Sequence, residues 1–560
     1  FDPKTGKEVN SFDEYDGYFL LQGNVLTACS TSEKRVMQYD LQKDELIWEA
    51  ADAPLTEWDF AATDGEAVYI ANAGGVYRIA AGGSLWEKMV DGELTSLRVP
   101  SMSVQALSLL NGDPVVLLFS SEGASKLMRY VYDETVPTLP ANELRVYTLH
   151  ENRLLTQAAA AYQTAHPDYL VRVTQLIEED AAATEADVIR ALNTELLAGK
   201  GPDVLLLDGM PVASYVEKGV LADLSSALNP MIESGELLPE LMNARRNAGG
   251  GLFAAPTGFA VPVLLGQPGD ISAVRTLEEL VAFVQKGGVP ALGKRTLSGY
   301  FDMLLPASFP AWFDEDGALK EDVFAGYLES ISQIHSAIGV EKDPMEEEIV
   351  NWGVFNTGRF TSDGMSLMGG RSYEVKGLKD GAYSLYPLML DGFNADMVDL
   401  TVMGEIDGAV DFLPGQAVNV FEPNGLIGVN AQSAQLDAAL AYVKTMLSPE
   451  VQDVETFAGF PVSAVSFEKL VEKENSNVSV SLSTTDEETG VSEELSGEWP
   501  LRAVREAVYE MAMRAKTPCT TDTELLSMMK TELAPFFAGE TDAADAARAV
   551  SAKLRAYLAE

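Results

Sequence analysis

Residues 192–209, LNTELLAGKGPDVLLLDG, constrain the fold more than any other stretch. A helix-forming run stops at Gly199-Lys200-Gly201-Pro202 and passes at once into the apolar strand DVLLL, which ends at Asp208-Gly209. A strand with no polar face is buried on both sides, as in a sheet covered by helices. Upstream, Thr184 and Asp187 stand as a helix-capping pair. Val188, Leu192 and Leu196 then recur every four residues, with Ile189 and Leu197 widening the stripe. ELRVYTL (143–149) and YLVRVTQL (169–176) read as strands around a helix that stops at Pro167, and MPVASYVEKG reads as a short helix closed by Gly219. Strand, helix, strand, helix, strand predicts an α/β domain with a largely parallel sheet. Ligands of such sheets collect outside the carboxyl ends of the strands, so Asp208-Gly209 marks a candidate site.

The first 140 residues follow a different grammar. NVLTACS, RVMQYDL, AVYIAN, GVYRIA, VVLLFS and LMRYVYDE are β-rich runs separated by polar or glycine turns. Three segments repeat the order glycine, strand, small polar turn, strand. Their leading glycines, Gly23, Gly65 and Gly112, are 42 and 47 residues apart. That period suits propeller blades, although three blades do not close a ring. A small irregular β domain fits the same pattern equally well. VPTLPAN (136–142) reads as a linker.

Composition excludes several functions. The 560 residues hold 39 Lys plus Arg against 85 Asp plus Glu, a formal net charge of −46. Phosphate binding needs a basic surface, so nucleic acid is not an expected partner. No apolar run reaches the roughly 18 to 20 residues that span a membrane. The two cysteines, Cys29 and Cys519, fit no zinc spacing and read as isolated thiols rather than a disulfide. His166 and His335 read as structural, and His150 follows a strand end. Neither a nucleophile elbow nor a phosphate loop occurs. MEEEIV (345–350) reads as a solvated helix face. WFDEDGALKED (312–322) resembles a calcium loop in part. However, Trp312 and Val323 stand where its end ligands belong, so it reads as a polar turn holding Asp314 and Asp316. No catalytic residue, cofactor or metal is expected.

Loops rich in glycine, proline and aromatics remain. They are YTLH (147–150), LLDGM (206–210), FAAPTGFAVP (253–262), SFPAWF (308–313), MGGRSYE (368–374), FEPNGLIG (421–428) and GFPV (459–462). Together they describe a binding cleft without a catalytic machine. Elsewhere, LEELVAFVQK capped by Thr276 and Glu279, VFAGYLESISQIHSAI and SAQLDAALAYVKTML read as helices. Ser448 is placed to cap a further helix that opens at Pro449. NSNVSVSLSTTDEETGVSEEL (475–495) reads as an exposed hairpin or mobile insertion.

From about residue 142 onward the order of motifs resembles the extracellular solute-binding proteins of ABC importers, the large family that includes sugar binders. LNTELLAGKGPDVLLLDG followed by YVEKGVLADLSSAL is one element of the likeness. GGGLFAAPTGFAVPVLLG is similar to the segment crossing between lobes, although LLG replaces the family's frequent Tyr-Asn pair. GLIGVNAQSAQLDAALAYVKTMLSPEVQDVETFAGFPVSAVSF and the tail FFAGETDAADAARAVSAKLRAYLAE complete it. The resemblance implies an α/β, two-lobe periplasmic-binding-protein-like fold behind an all-β, blade-like domain. Its expected limits are 1–140 for the β domain, 141–255 for the first part of lobe 1, and 256–365 for the main part of lobe 2. Returning segments of both lobes and carboxyl-terminal helices take 366–560.

The resemblance also implies a hinged solute receptor with no enzymatic activity, serving an ABC permease, and a carbohydrate is the favoured solute. It implies an extracellular, lipid-anchored location through a leader outside this chain, and a monomer is expected. Lobe 1 would offer Tyr147, His150, Asp208 and Gly209, and the hinge segment Thr257 and Phe259. Lobe 2 would offer Phe309 or Trp312 as a stacking face, with Arg371, Tyr373 and Asn424 as polar contacts. The alternative is a cell-surface sensor or adhesion protein whose β domain binds a partner. A glycan-processing enzyme is the least favoured reading, because no catalytic pair stands out.

Overall fold

The computed structural model describes residues 4–5, 17–56, 59–120, 125–135, 139–177, 184–314, 317–340, 375–454, 459–474, 479–485, 492–520 and 523–557. The chain forms two compact units. One comprises 1–146 with 152–174, and the other 147–151 with 175–560.

In the first unit, alternating strands build three antiparallel meanders. Tyr18–Gln22, Val25–Ser30, Arg35–Asp40 and Glu45–Ala50 form the first sheet in sequence order. Phe60–Thr63, Ala67–Asn72, Gly75–Ala80 and Glu87–Asp91 form the second, and Met102–Leu110, Asp113–Ser120 and Ser125–Arg129 the third. The repeated glycines have a common cause. Gly23, Gly65 and Gly112 each sit in the turn between the first two strands of a sheet, with φ of +60°, +91° and +87°, a region open to glycine. Packing then follows from strand alternation. Val68, Ile70 and Ile79 of the second sheet meet Cys29, Val36 and Ala50 of the first. Ala71 and Val76, on the opposite face, meet Val104, Val116 and Leu118 of the third. AVYIAN is therefore buried along its whole length. The sheets are blade-like in connection, but among the described residues they form an open stack and close no ring.

The same unit holds the helix Arg153–Ala165 and, up to Thr174, the strand Tyr169–Gln175. Gln163 donates from Nε2 to the Glu93 carbonyl at 2.8 Å and accepts the Val171 N–H at 2.7 Å. Arg172 pairs with Glu143 at 2.8 Å and Glu93 at 3.5 Å, and Arg153 donates to the Pro100 carbonyl at 3.0 Å.

Among the described residues, each lobe of the second unit has a buried core. In lobe 1 the helix Glu185–Leu197 is capped as its sequence predicts, the Thr184 hydroxyl accepting the Asp187 N–H. Leu192 and Leu196 pack on Leu205, Leu207 and Tyr215. Leu197 does not widen the stripe as expected; it is 83% exposed. The strand Val204–Leu206 is wholly buried. It pairs antiparallel with Ile427–Val429, which departs from the parallel expectation because that strand arrives on a return pass from lobe 2.

Lobe 2 is built on Gly258–Gly266, a nine-residue strand buried throughout. It pairs antiparallel with Leu385–Leu390 and with Ala409–Phe412. Leu277–Gln285, Leu297–Leu304 and Glu321–Ile338 cover it, and the last two helices, Thr523–Phe537 and Ala543–Tyr557, add Met529, Leu533, Val550 and Leu554 to the same core. Ser448 precedes its helix, but its hydroxyl donates back to the Thr445 carbonyl at 2.7 Å and makes no side-chain cap. Ser479–Thr485 and Ser492–Glu498 form a hairpin. The 312–322 stretch is a turn in which Asp314 Oδ1 accepts the Ala318 N–H at 2.8 Å; Asp316 lies outside the described residues.

Cys29 and Cys519 are buried in separate cores and form no disulfide with each other. Burial, with the nearby Asp59 carboxylate, pushes the Cys29 thiol up to about 12. Since the thiolate is the reactive form, Cys29 should resist a thiol reagent at pH 8 in the folded protein. Peptide mapping of labelled protein should find it modified only after denaturation.

Candidate functional site

The Asp-Gly step that ends the lobe 1 strand is first of all a turn. The Met210 N–H donates to the Leu207 carbonyl at 2.9 Å, closing a four-residue turn with Gly209 at its third position. Gly209 has φ +77°, as a type II turn requires there. A Cβ at Gly209 would lie 3.1 Å from Leu149, so the turn packs against the end of the neighbouring YTLH loop. Tyr147 is half-buried against the lobe 1 core. His150 is exposed, and its Nε2 lies 2.8 Å from Glu185. A solvent-exposed pair of that kind contributes about 0 to 1 kcal/mol.

Asp208 stands beside the interlobe crossing. The Leu207 N–H donates to the Leu426 carbonyl at 2.6 Å. Gly425, at φ +62°, brings the second crossing so close that a Cβ there would stand 2.1 Å from the Thr257 hydroxyl. Thr257 in turn donates its N–H to Asn424 at 3.1 Å and to Gly425 at 3.2 Å. The Asn424 amide Nδ2 is buried and makes no hydrogen bond among the described residues. Leaving such a donor unpaired costs about 1 to 3 kcal/mol, so it is a ready partner for an incoming acceptor. Asp208, Gly209, Thr257 and Asn424 are thus joined through one crossing at the carboxyl end of the lobe 1 strand.

Three crossings meet at Gly258 and Phe259. Gly258 pairs with Asn424 on one side and Pro461 on the other, and Phe259 pairs with Pro423 and Phe460. The Phe259 ring is 0% exposed and lies 5.6 Å from Phe460, 5.9 Å from Phe467 and 6.5 Å from Phe421. It fills the crossing rather than opening onto solvent. Gln452 ties the segments together: Nε2 donates to the Thr257 carbonyl at 3.0 Å and to the Met446 carbonyl at 3.1 Å, and Oε1 accepts the Val462 N–H at 3.1 Å.

The aromatics expected to stack on a solute sit elsewhere. Trp312 is 0% exposed and Phe309 7%. The indole lies 4.7 Å from Phe324, 4.9 Å from Tyr327 and 5.4 Å from Phe309, and its N–H donates to Gln416 at 2.8 Å. Both rings are core residues of lobe 2, with no open face for a ligand. Large size and apolar character served the core before they could serve a cleft. Arg371 and Tyr373 lie outside the described residues.

Two elements escaped sequence reasoning. Gln452 was visible within SPEVQ, but nothing local tells a hinge glutamine from a helix-start residue. The lobe 2 strand Leu385–Leu390 ends in Asp391-Gly392, so LMLDG repeats the grammar of LLLDG. Asp396 accepts the N–H groups of both Asp391 and Gly392, at 2.6 Å and 3.1 Å.

Trp312→Ala should lower stability by about 3 to 5 kcal/mol and leave solute affinity unchanged under conditions where the variant stays folded. Denaturant unfolding and calorimetric titration separate the two effects. Gln452→Leu keeps the volume but strands the Thr257 and Met446 carbonyls and the Val462 N–H. A loss of about 2 to 4 kcal/mol in chemical denaturation is the expected result.

The model of the family described as bacterial extracellular solute-binding protein matches residues 149–453, more than half of the 560-residue chain. No curated protein matches it by sequence. Among solved structures, an extracellular solute-binding protein family 1 member from Alicyclobacillus acidocaldarius is 14% identical, with a TM-score of 0.47, covering 76% of this chain and 100% of that one. The GacH receptor of Streptomyces glaucescens, solved unliganded and with acarbose, is 15% identical at TM-score 0.41, covering 75% and 99%. The maltose/maltodextrin-binding domain of Bdellovibrio bacteriovorus, bound to maltotriose, is 12% identical at TM-score 0.42, covering 75% and 100%. On the family match, this chain belongs to the bacterial extracellular solute-binding proteins.

Proposed function

We propose that the protein is a receptor that holds a small carbohydrate between its two lobes and delivers it to an ABC-type importer, without chemical conversion. One observation carries this reading within the family: Leu207, the residue before Asp208-Gly209, is hydrogen-bonded to Leu426 of the interlobe crossing, whose Asn424 and Gly425 in turn meet Thr257. A solute bound to Asp208 and to the orphaned Asn424 amide would touch the groups that move least during closure. Its differential contacts would then favour the closed state. Asp208 is an acceptor for sugar hydroxyls and Asn424 Nδ2 a donor to them, which suits a neutral polyol. Arg371, Tyr373, Tyr147 and His150 remain further candidate contacts. Export and lipid anchoring through a leader belong to the same proposal.

A thermal-shift and calorimetric panel of mono- and oligosaccharides, amino acids and polyamines tests it. At one hundred times its dissociation constant, a solute that binds only the folded state adds about 2.7 kcal/mol of stability. Asp208→Ala should then weaken the responding sugar about tenfold or more, with an unchanged unfolding midpoint in its absence. A panel in which only non-sugars respond would replace the carbohydrate reading. The second reading, a cell-surface sensor or adhesion protein, draws on one feature: the stack of three β sheets precedes the family-matched region.

A further inference from the structure

Lobe 2 lost its expected stacking face when Phe309 and Trp312 proved to be core residues. Its strand Leu385–Leu390 brings another surface to the crossing. The strand ends in Asp391-Gly392, and the buried Asp396 fixes that end. Asp396 accepts the Asp391 N–H at 2.6 Å and the Gly392 N–H at 3.1 Å, and its own N–H donates to the Gly392 carbonyl at 3.0 Å. Gly392 has φ +148°. A Cβ built on it would meet the Gly459 carbonyl oxygen at 3.9 Å and, its chain neighbours apart, no nearer atom of the described residues. It would therefore project into open space. Gly459, at φ +94°, lies against the Asn424 amide: a Cβ there would stand 2.7 Å from Asn424 Nδ2 and 2.7 Å from the Phe259 carbonyl oxygen. Gly392, Asn424, Gly425 and Gly459 are all half-buried, whereas Phe259, Phe393, Phe421 and Phe460 beside them are buried. Solvent thus reaches the crossing along a strip of glycines that ends at the Asn424 amide.

We propose that Gly392 and Gly459 form the lobe 2 wall of the solute site, kept bare so that a hydroxyl-bearing edge of the solute reaches the Asn424 amide. The inference rests on the receptor reading and adds to it the residues that set the width of the site. Glycine lets backbone approach a ligand more closely than any other residue. The Asn424 amide is a donor with no partner among the described residues, so what it takes from the solute is an acceptor oxygen. A wall without side chains offers no apolar face. This end of the site therefore selects a narrow polar edge and not a stacked ring.

Calorimetric titration of the full chain and of Gly392→Ala tests it. The probe is whichever of glucose, galactose, maltose, maltotriose, sorbitol, glutamate and spermidine gives the unsubstituted protein its largest thermal shift. One methyl group in the path of the solute should weaken that compound about tenfold or more. Gly459→Ala, where it folds, should do the same. Gly381→Ala separates a blocked wall from backbone strain. Gly381, at φ +72°, lies in the turn before the same strand with open space at its Cβ position. That variant should lose stability through the same kind of strain and keep its affinity. Denaturant unfolding reports the stability of each variant, and the titrations are run where all are folded. An affinity unchanged in Gly392→Ala, or lowered equally in Gly381→Ala, overturns the proposal. If Asp208→Ala weakens the same compound and Gly392→Ala does not, the receptor reading stands and the wall alone is lost. No shift from any of the seven compounds overturns the receptor reading and this inference with it.

Discussion

The two-lobe unit depends on the backbone pairing at Gly258 and Phe259. At this point one strand is flanked on both sides by chain crossing between the lobes, Pro423-Asn424 on one side and Phe460-Pro461 on the other. Backbone groups buried this deeply must be paired. Three sequence-distant segments are therefore locked to one register, and the glycine-rich approach at Gly425 leaves no room for a side chain between them. Aromatic packing around Phe259 fills the rest of the space.

The candidate site inherits its position from that junction. Asp208 is not brought to the crossing by a long side chain or a flexible loop. It follows a three-residue buried strand whose next backbone N–H is already bonded to Leu426. Gln452 closes the same junction from the other side, holding the Thr257 carbonyl and the Val462 N–H together. A solute contact at Asp208 or Asn424 is thus one residue from the backbone that any lobe rotation must respect. Such short coupling suits a receptor whose signal is closure.

Much of the local structure was legible in sequence, because it rests on short-range rules. The Thr184 cap, the Gly219 stop, the end of the strand at Asp208-Gly209 and the three repeated glycines of the β unit all report backbone conformations that a few residue types satisfy. The aromatic residues were misread for a physical reason. A Trp beside a Phe in a proline-containing loop has the same local appearance whether the loop folds inward or lines a cleft. Only the arrival of Phe324 and Tyr327 from another helix, and of Gln416 from a distant loop, fixes Trp312 in the core.

The sequence alone determined the division into an all-β stretch and an α/β region, the placing of Asp208-Gly209 at a strand end, and the likeness to solute-binding proteins. Periodicity, turn chemistry and motif order carry that information along the chain. The tertiary structure decided the rest. It paired the central strand with a returning segment in the antiparallel sense, chose which aromatics became core, and made Gln452 a tie between crossings. It also buried the middle β sheet on both faces. Those outcomes depend on residues hundreds of positions apart, and no local pattern records which distant surface a side chain will meet.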